Sequence, residues 1–222
     1  QTCALPISDR ILMEGDPYTL IEGMAIAGLA VGATKGFIYV RSEYPAAISQ
    51  LKKAIEIATP KLGNFELKVR SGAGSYVCGE ETAMLESLEG KRGVVRAKPP
   101  LPALEGLFGK PTVINNVLTL ASVPEILASG AAAYKARGVG RSLGTQVFQL
   151  AGNIKQGGIV EIGFGINLDK LINEYGAGTA SGKPIRAIQV GGPLGAYFGQ
   201  DKFGVSADYE SMLAAGGMLG HG

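Results

Sequence analysis

Cysteine is scarce. Cys3 and Cys78 are the two in 222 residues, and they stand in unrelated contexts. That excludes a disulfide framework and a cysteine metal site, so no metal ligands are assigned and a reducing compartment, the cytoplasm, is expected. Long apolar runs are missing too: the richest stretch, LIEGMAIAGLAVGATKGFIYV, is broken by Glu22, four glycines and Lys35. Spanning a bilayer takes roughly 18 or more such residues, so direct membrane insertion is not expected. Nor is charge lopsided, with 21 Lys and Arg against 19 Asp and Glu and a formal charge of +2. The cations are scattered, whereas neutralising a phosphate backbone needs them clustered, so nucleic acid is not an expected partner.

What remains is an ordinary globular composition, 46% hydrophobic and 18% charged, with a mean hydropathy of +0.19. A chain of this size buries one sizeable core or two modest ones. Glycine is the outlier at 34 residues, neither periodic nor confined to linkers. Such a count implies repeated close approach of backbone to a ligand or a packed element. The opening QTCALPI lacks capping, periodic or signal-peptide character and matches an in-frame reading of a common sequencing adaptor, so residues 1–7 are expected to be a non-native scar. The closing GGMLGHG carries no terminating element, and the chain reads as cut at both ends.

The interior alternates helices and strands. Asp16 as N-cap and Pro17 at the first helical position open a helix with Leu20, Ile21, Met24 and Ala27 at helical spacing, running to about Gly36. FIYVR is a short strand, PAAISQLKKAIEIA an amphipathic helix and FELKVR an alternating strand, which is a β–α–β rhythm. A glycine loop follows that second strand, where a ligand loop at the carboxyl end of a parallel sheet belongs. An acidic helix, a proline-rich loop and a helix through VLTLASVPEILASG come next. After Gly138 the strands shorten: TQVFQLAGNI, GGIVEIG and PIRAIQVGG read as strands, and NLDKLINEYGAG as a helix of about three turns. A domain boundary near Arg141 separates an α/β domain, residues 8–141, from a small β-rich α+β domain, residues 142–222.

The loop GAGSYVCGEE fails both familiar phosphate motifs. Gly72 and Gly74 begin a dinucleotide fingerprint, but Val77 stands where its third small residue belongs. Gly74 to Gly79 has P-loop spacing, yet Glu80 and Glu81 occupy the Lys and Ser/Thr positions and would repel a triphosphate. A ligand with an anionic end for the turn's N–H groups and a neutral donor end for the carboxylates satisfies both features. The plainer alternative is that two acidic residues in a first helical turn favour the macrodipole by roughly 0.3–1 kcal/mol.

GAGSYVCGEETAMLESLEGKRG followed by KPPLPALEGLFGKPTVINNV strongly resembles the flavoprotein subunit of respiratory complex I and its relatives, the diaphorase subunits of NAD-reducing hydrogenases and NAD-dependent formate dehydrogenases. The likeness runs from about Asp9 to the end. It implies a Rossmann-like FMN-binding domain followed by a β-grasp (SLBB-like) module. Leu101, where complex I usually carries Phe, leans toward the formate dehydrogenase type. Gly72 and Gly74 of the turn are expected to bind cofactor, and by the same resemblance Tyr76, Gly79, Glu80 and Glu81 line the FMN and NADH cavity, Lys98 lies near the dinucleotide, and Asn115 and Asn116 contact the phosphate end of the flavin.

The implied activity is hydride transfer between NAD(H) and FMN, with Glu81 orienting the nicotinamide and Tyr76 shaping the cavity, and electrons passing to iron–sulfur partner subunits. The family's upstream flavin-binding segment is expected before Asp9, and its [4Fe–4S] cysteine cluster beyond Gly222, so this stretch alone would carry neither cluster nor activity. For Asn115 and Asn116 the plainer reading is helix capping, for Lys98 a solvated loop charge, and for Cys78 a small buried hydrophobe. A non-catalytic docking module of the same complex is the alternative to an enzyme.

Overall fold

The computed structural model describes residues 7–192 and 194–220, so the segment read as a scar lies outside the described residues except for Ile7. The chain is a mixed α/β protein of two compact units, which divide after Glu125.

The first unit begins with α1 (Ile7–Gly15) and α2 (Pro17–Val31). Between them Asp16 accepts from the Thr19 N–H at 3.2 Å and from its hydroxyl at 2.6 Å, so the acid and proline that signal a helix start perform that task. Gly32, left-handed at φ 69°, ends α2 one turn before the Gly36 stop read from sequence. That frees Lys35 and Gly36 to begin β1 (Lys35–Val40). Pro45 starts α3 (Pro45–Ala58), and the chain returns through β2 (Glu66–Ser71), parallel to β1 with Lys35 opposite Glu66 and Val40 opposite Ser71. Apolar residues at helical spacing turn inward: Leu20, Ile21, Leu51 and Ala54 are buried with Ile38, Val40 and Leu67 of the strands. Each large side chain among them contributes roughly 1.5–3 kcal/mol. The unit continues through α4 (Glu81–Leu88) into α5 (Val117–Ser129), inside which the division falls.

The second unit holds α6 (Ala131–Lys135) and three antiparallel hairpins. These are β3 (Gly138–Val139) with β4 (Ser142–Leu143), β5 (Thr145–Leu150) with β6 (Gly158–Gly163), and β7 (Ala187–Val190) with β8 (Ala196–Gly199). The hairpins begin close to Arg141, where the sequence changes character. The crossing helix is shorter than its pattern suggests: α7 (Leu168–Lys170), capped by Asn167, widens into a π turn over Leu171–Tyr175. Gly176 donates to the Leu171 carbonyl five residues back, and Ala177 then turns to positive φ. β8 and α8 (Tyr209–Ala214) lie beyond the last strand legible in sequence. Phe148, Leu168, Leu171, Phe198 and Met212 form the core.

Gly23 shows what the glycines of α2 are for. A Cβ there would lie 1.9 Å from the Leu120 carbonyl oxygen of α5, a backbone atom that cannot swing aside. Gly23→Ala is therefore expected to destabilise the unit by about 1–3 kcal/mol or more, although alanine gains about 1 kcal/mol of helix propensity. Gly15→Ala, with open space around it, should be neutral or stabilising. Urea midpoints of the two variants test the contrast.

Candidate functional site

β1 and β2 run side by side and parallel, so their carboxyl ends open together. The Gly72 N–H donates to the Val40 carbonyl at 2.7 Å, carrying the pairing one residue past β2. A Cβ on Gly72 would stand 2.6 Å from the Tyr39 hydroxyl, which itself meets the Ser87 hydroxyl of α4 at 2.9 Å. Glycine is thus required where the loop leaves the strand. Gly74 takes φ 82° beside Ser42 of the loop after β1. The N–H groups of Gly74, Ser75, Tyr76 and Val77 meet no acceptor among the described residues. They are exposed, and the Tyr76 side chain is 75% exposed. Cys78 is buried, its thiol directed at the Ala83 carbonyl at 3.7 Å, and so packs as a small hydrophobe.

The two carboxylates differ in duty. Glu80 is the N-cap of α4: its Oε2 accepts from the Thr82 N–H and the Ala83 N–H, both at 2.9 Å, and from the Thr82 hydroxyl at 2.6 Å. Lys98 donates to Glu80 Oε1 at 3.2 Å and to Glu81 Oε1 at 2.5 Å. Desolvation pushes the Glu80 carboxyl up, but the bonds from Thr82, Ala83 and Lys98 outweigh it and hold it at about 2. The hydrogen bonds from Lys98 to Glu81 and Glu80 raise the ammonium above its usual value. Oε2 of Glu81 takes no donor among the described residues.

The proline-rich loop is fastened to the same helix by Arg96. Its guanidinium meets Glu86 at 2.5 Å, Glu89 at 2.8 Å and the Gly106 carbonyl at 3.0 Å, while its backbone N–H donates to the Thr82 hydroxyl at 2.9 Å. Glu89 also accepts from the Phe108 N–H at 2.7 Å and from Lys91 at 2.8 Å. Bonds from Lys91 and Arg96 hold the Glu89 carboxyl at about 2. A cavity of about 350 Å³ lies between α4 and this loop.

Of the residues singled out from sequence, Gly72, Gly74, Tyr76, Gly79, Glu80, Glu81 and Lys98 come together at this strand end. Asn115 and Asn116 are both exposed. Asn116 caps α5, its Oδ1 accepting from the Leu118 N–H at 2.7 Å, and its amide donates to Asp9 of α1 at 3.2 Å. Burial raises the Asp9 carboxyl, and the Asn116 bond opposes the rise. Sequence reasoning missed Thr82, Arg96, Glu86 and Glu89. The four-residue spacing from Thr82 to Glu86 marks one helix face, but nothing local ties that face to Arg96.

The profile of the Nuo51 FMN-binding domain family matches residues 4–125, and the chain belongs to that family. Among similar proteins, the NADP-reducing hydrogenase subunit HndC of Solidesulfovibrio fructosivorans is 45% identical over 96% of this chain and 46% of its own length. The F 2 subunit of NADH-quinone oxidoreductase from Rhizobium meliloti is 44% identical over 96% of this chain and 53% of its own. The crystal structure of an NAD+-reducing [NiFe]-hydrogenase in the air-oxidised state superposes at a TM-score of 0.85 with 36% identity, covering 96% of this chain and 36% of that one. The chain spans about half the length of the curated relatives it matches. No described helix is long and apolar enough to cross a membrane, and no described cluster of His, Cys, Asp and Glu could hold a metal ion.

Because the folded value of Glu80 is depressed from 4.5 to about 2, its stabilising contribution is complete above 4.5 and fades as pH falls toward 2. Glu80→Gln is therefore expected to lower the melting temperature most at neutral pH, and its curve should converge on the wild type near pH 2. Melting curves across that range check the sign.

Proposed function

We propose that the chain is the FMN- and NAD(H)-handling part of an NADH:acceptor oxidoreductase. Residues 8–141 are a Rossmann-like flavin domain and residues 142–222 a β-grasp (SLBB-like) module, a boundary that falls sixteen residues after the division of the two compact units at Glu125. One observation carries the reading: four exposed N–H groups from Gly74 to Val77, without acceptors among the described residues, lie at the carboxyl ends of parallel strands, where ligands bind in open α/β sheets. The residues present fit the flavin, because the loop supplies donors for its polar groups and Gly79 has open space around its α-carbon. Bound there, FMN would supply a hydride acceptor for NADH and a route for electrons to leave singly.

The chain's own residues then bind and orient. Glu81 has one oxygen fixed by Lys98 and the other open to accept an amide N–H, which suits a nicotinamide carboxamide. The largely exposed Tyr76 ring borders the same loop. Lys98 holds a positive charge between two carboxylates, so it offsets one of their two negative charges and keeps a cation near the dinucleotide. Antiparallel hairpins together with a short helix that widens into a π turn support the β-grasp reading. The relatives' names couple a nicotinamide nucleotide to hydrogenase chemistry or to a quinone, and an electron route of that kind suits iron–sulfur partner subunits and a [4Fe–4S] cluster carried outside these residues. Leu101 in the proline-rich loop leans toward the formate dehydrogenase type of this family.

Glu81→Ala in the flavin-loaded protein is expected to weaken use of NADH by about 1.5–3 kcal/mol of transition-state binding, with FMN content nearly intact. Ferricyanide reduction by NADH is the assay, and unchanged activity removes this role.

Asn116→Ala separates a flavin contact from a cap. It is expected to lower FMN per protein without raising the KM for NADH, together with a loss of about 1 kcal/mol of stability from the vacated cap. If the melting temperature falls and the flavin stays, Asn116 acts on α5 alone.

A further inference from the structure

Lys98 reaches the two carboxylates from a loop whose only regular structure among the described residues is a short 3-10 turn at Leu107–Gly109, and the structure shows what delivers it there. Two residues earlier, Arg96 uses every direction of its guanidinium. Nε goes to Glu86, one terminal nitrogen to Glu89 and the other to the Gly106 carbonyl, so the start and the middle of the loop are tied to one side chain. Its backbone N–H meets the Thr82 hydroxyl, whose own proton goes to Glu80. Thr82 is 1% exposed and Glu89's side chain 7%, so these bonds are shielded from water. No contact of Arg96 points into the glycine loop.

We infer that Arg96 is a positioning residue for Lys98. By spanning Glu86, Glu89 and the Gly106 carbonyl, it pins the proline-rich loop to α4 so that the Lys98 ammonium arrives between Glu80 and Glu81. The fork geometry matters more than the charge, because three separate nitrogens of one planar group meet the three acceptors, whereas the donors of an ammonium all radiate from a single nitrogen. The consequence for nucleotide binding rests on the function proposed above, but the placement of Lys98 does not.

Acylation of individual lysines, read by peptide mass spectrometry, tests the placement in this chain without any nucleotide. An amine reacts only when deprotonated, so a lysine released from two carboxylates gains about tenfold in reactivity for each unit its pKa falls. Arg96→Gln is expected to raise the labelling rate of Lys98 about tenfold while the exposed Lys52 and Lys53 of α3 stay unchanged. Arg96→Lys should raise it nearly as much, since the fork is lost in both. Glu89→Gln, which removes one arm and leaves Arg96 in place, should give a smaller rise and guards against failure of the arginine variants to fold. Wild-type labelling of Lys98 in a folded Arg96→Gln chain overturns the inference. So does an equal rise at Lys52, Lys53 and Lys98, which would mean general loosening. An unaltered NADH affinity in the flavin-loaded Arg96→Gln protein, with Lys98 labelling raised, would count against the nucleotide reading and leave the positioning role standing.

Discussion

One carboxylate joins the parts of the site. A helix leaves its first N–H groups without partners, and at α4 Glu80 satisfies two of them with a single oxygen while its second oxygen receives Lys98. The glycine loop, the helix start and the proline-rich loop therefore share one anchoring group. Glutamate is not among the favoured N-caps, which are Ser, Thr, Asp and Asn. Its longer side chain is what lets it turn back over the helix and still present an oxygen to a lysine on another loop. The Thr82 hydroxyl completes the arrangement by donating to Glu80 and accepting from the Arg96 backbone.

Charge explains why that second loop lies where it does. Glu80 and Glu81 at the start of α4 favour the macrodipole, but Glu86 and Glu89 near its end oppose it. Lys91, Arg96 and Lys98 meet these acids in order along the loop, Lys91 and Arg96 at the unfavourable end and Lys98 at the favourable one. Isolated surface pairs are worth little. This set is a partly buried network in which the arginine is also held by backbone, so its geometry is fixed from several sides at once.

Local signals are legible where local chemistry decides. Asp16 with Pro17, and Pro45 followed by apolar residues at helical spacing, define α2 and α3 to within a turn, and alternation defines β2. The end of α2 is ambiguous in sequence because Gly32 and Gly36 both fit a stop, and only the left-handed turn at Gly32 decides between them. α1 has no capping signal and adjoins the segment set aside as a scar, so nothing local announces it. Of the site, the acidic helix start after a glycine loop is visible in the spacing, whereas Lys98 comes from resemblance alone. Arg96 leaves no trace, since its partners lie up to fourteen residues away, on α4 and farther along its own loop.

A glycine loop shaped for an anion and followed at once by acids is a contradiction only until each polar group is followed to its partner. The acids do not face the loop as free charge: Glu80 is spent on the helix and on Lys98, and one oxygen of Glu81 is spent on Lys98 as well. Among the described residues, four backbone donors and one carboxylate oxygen at this place stand without a partner. Donors and acceptor in that proportion disfavour a bare phosphate and favour a ligand whose surface is mostly acceptor with an amide at one end. The function proposed above supplies such a ligand, a flavin and a nicotinamide together, and the separation of duties between the two carboxylates suits it.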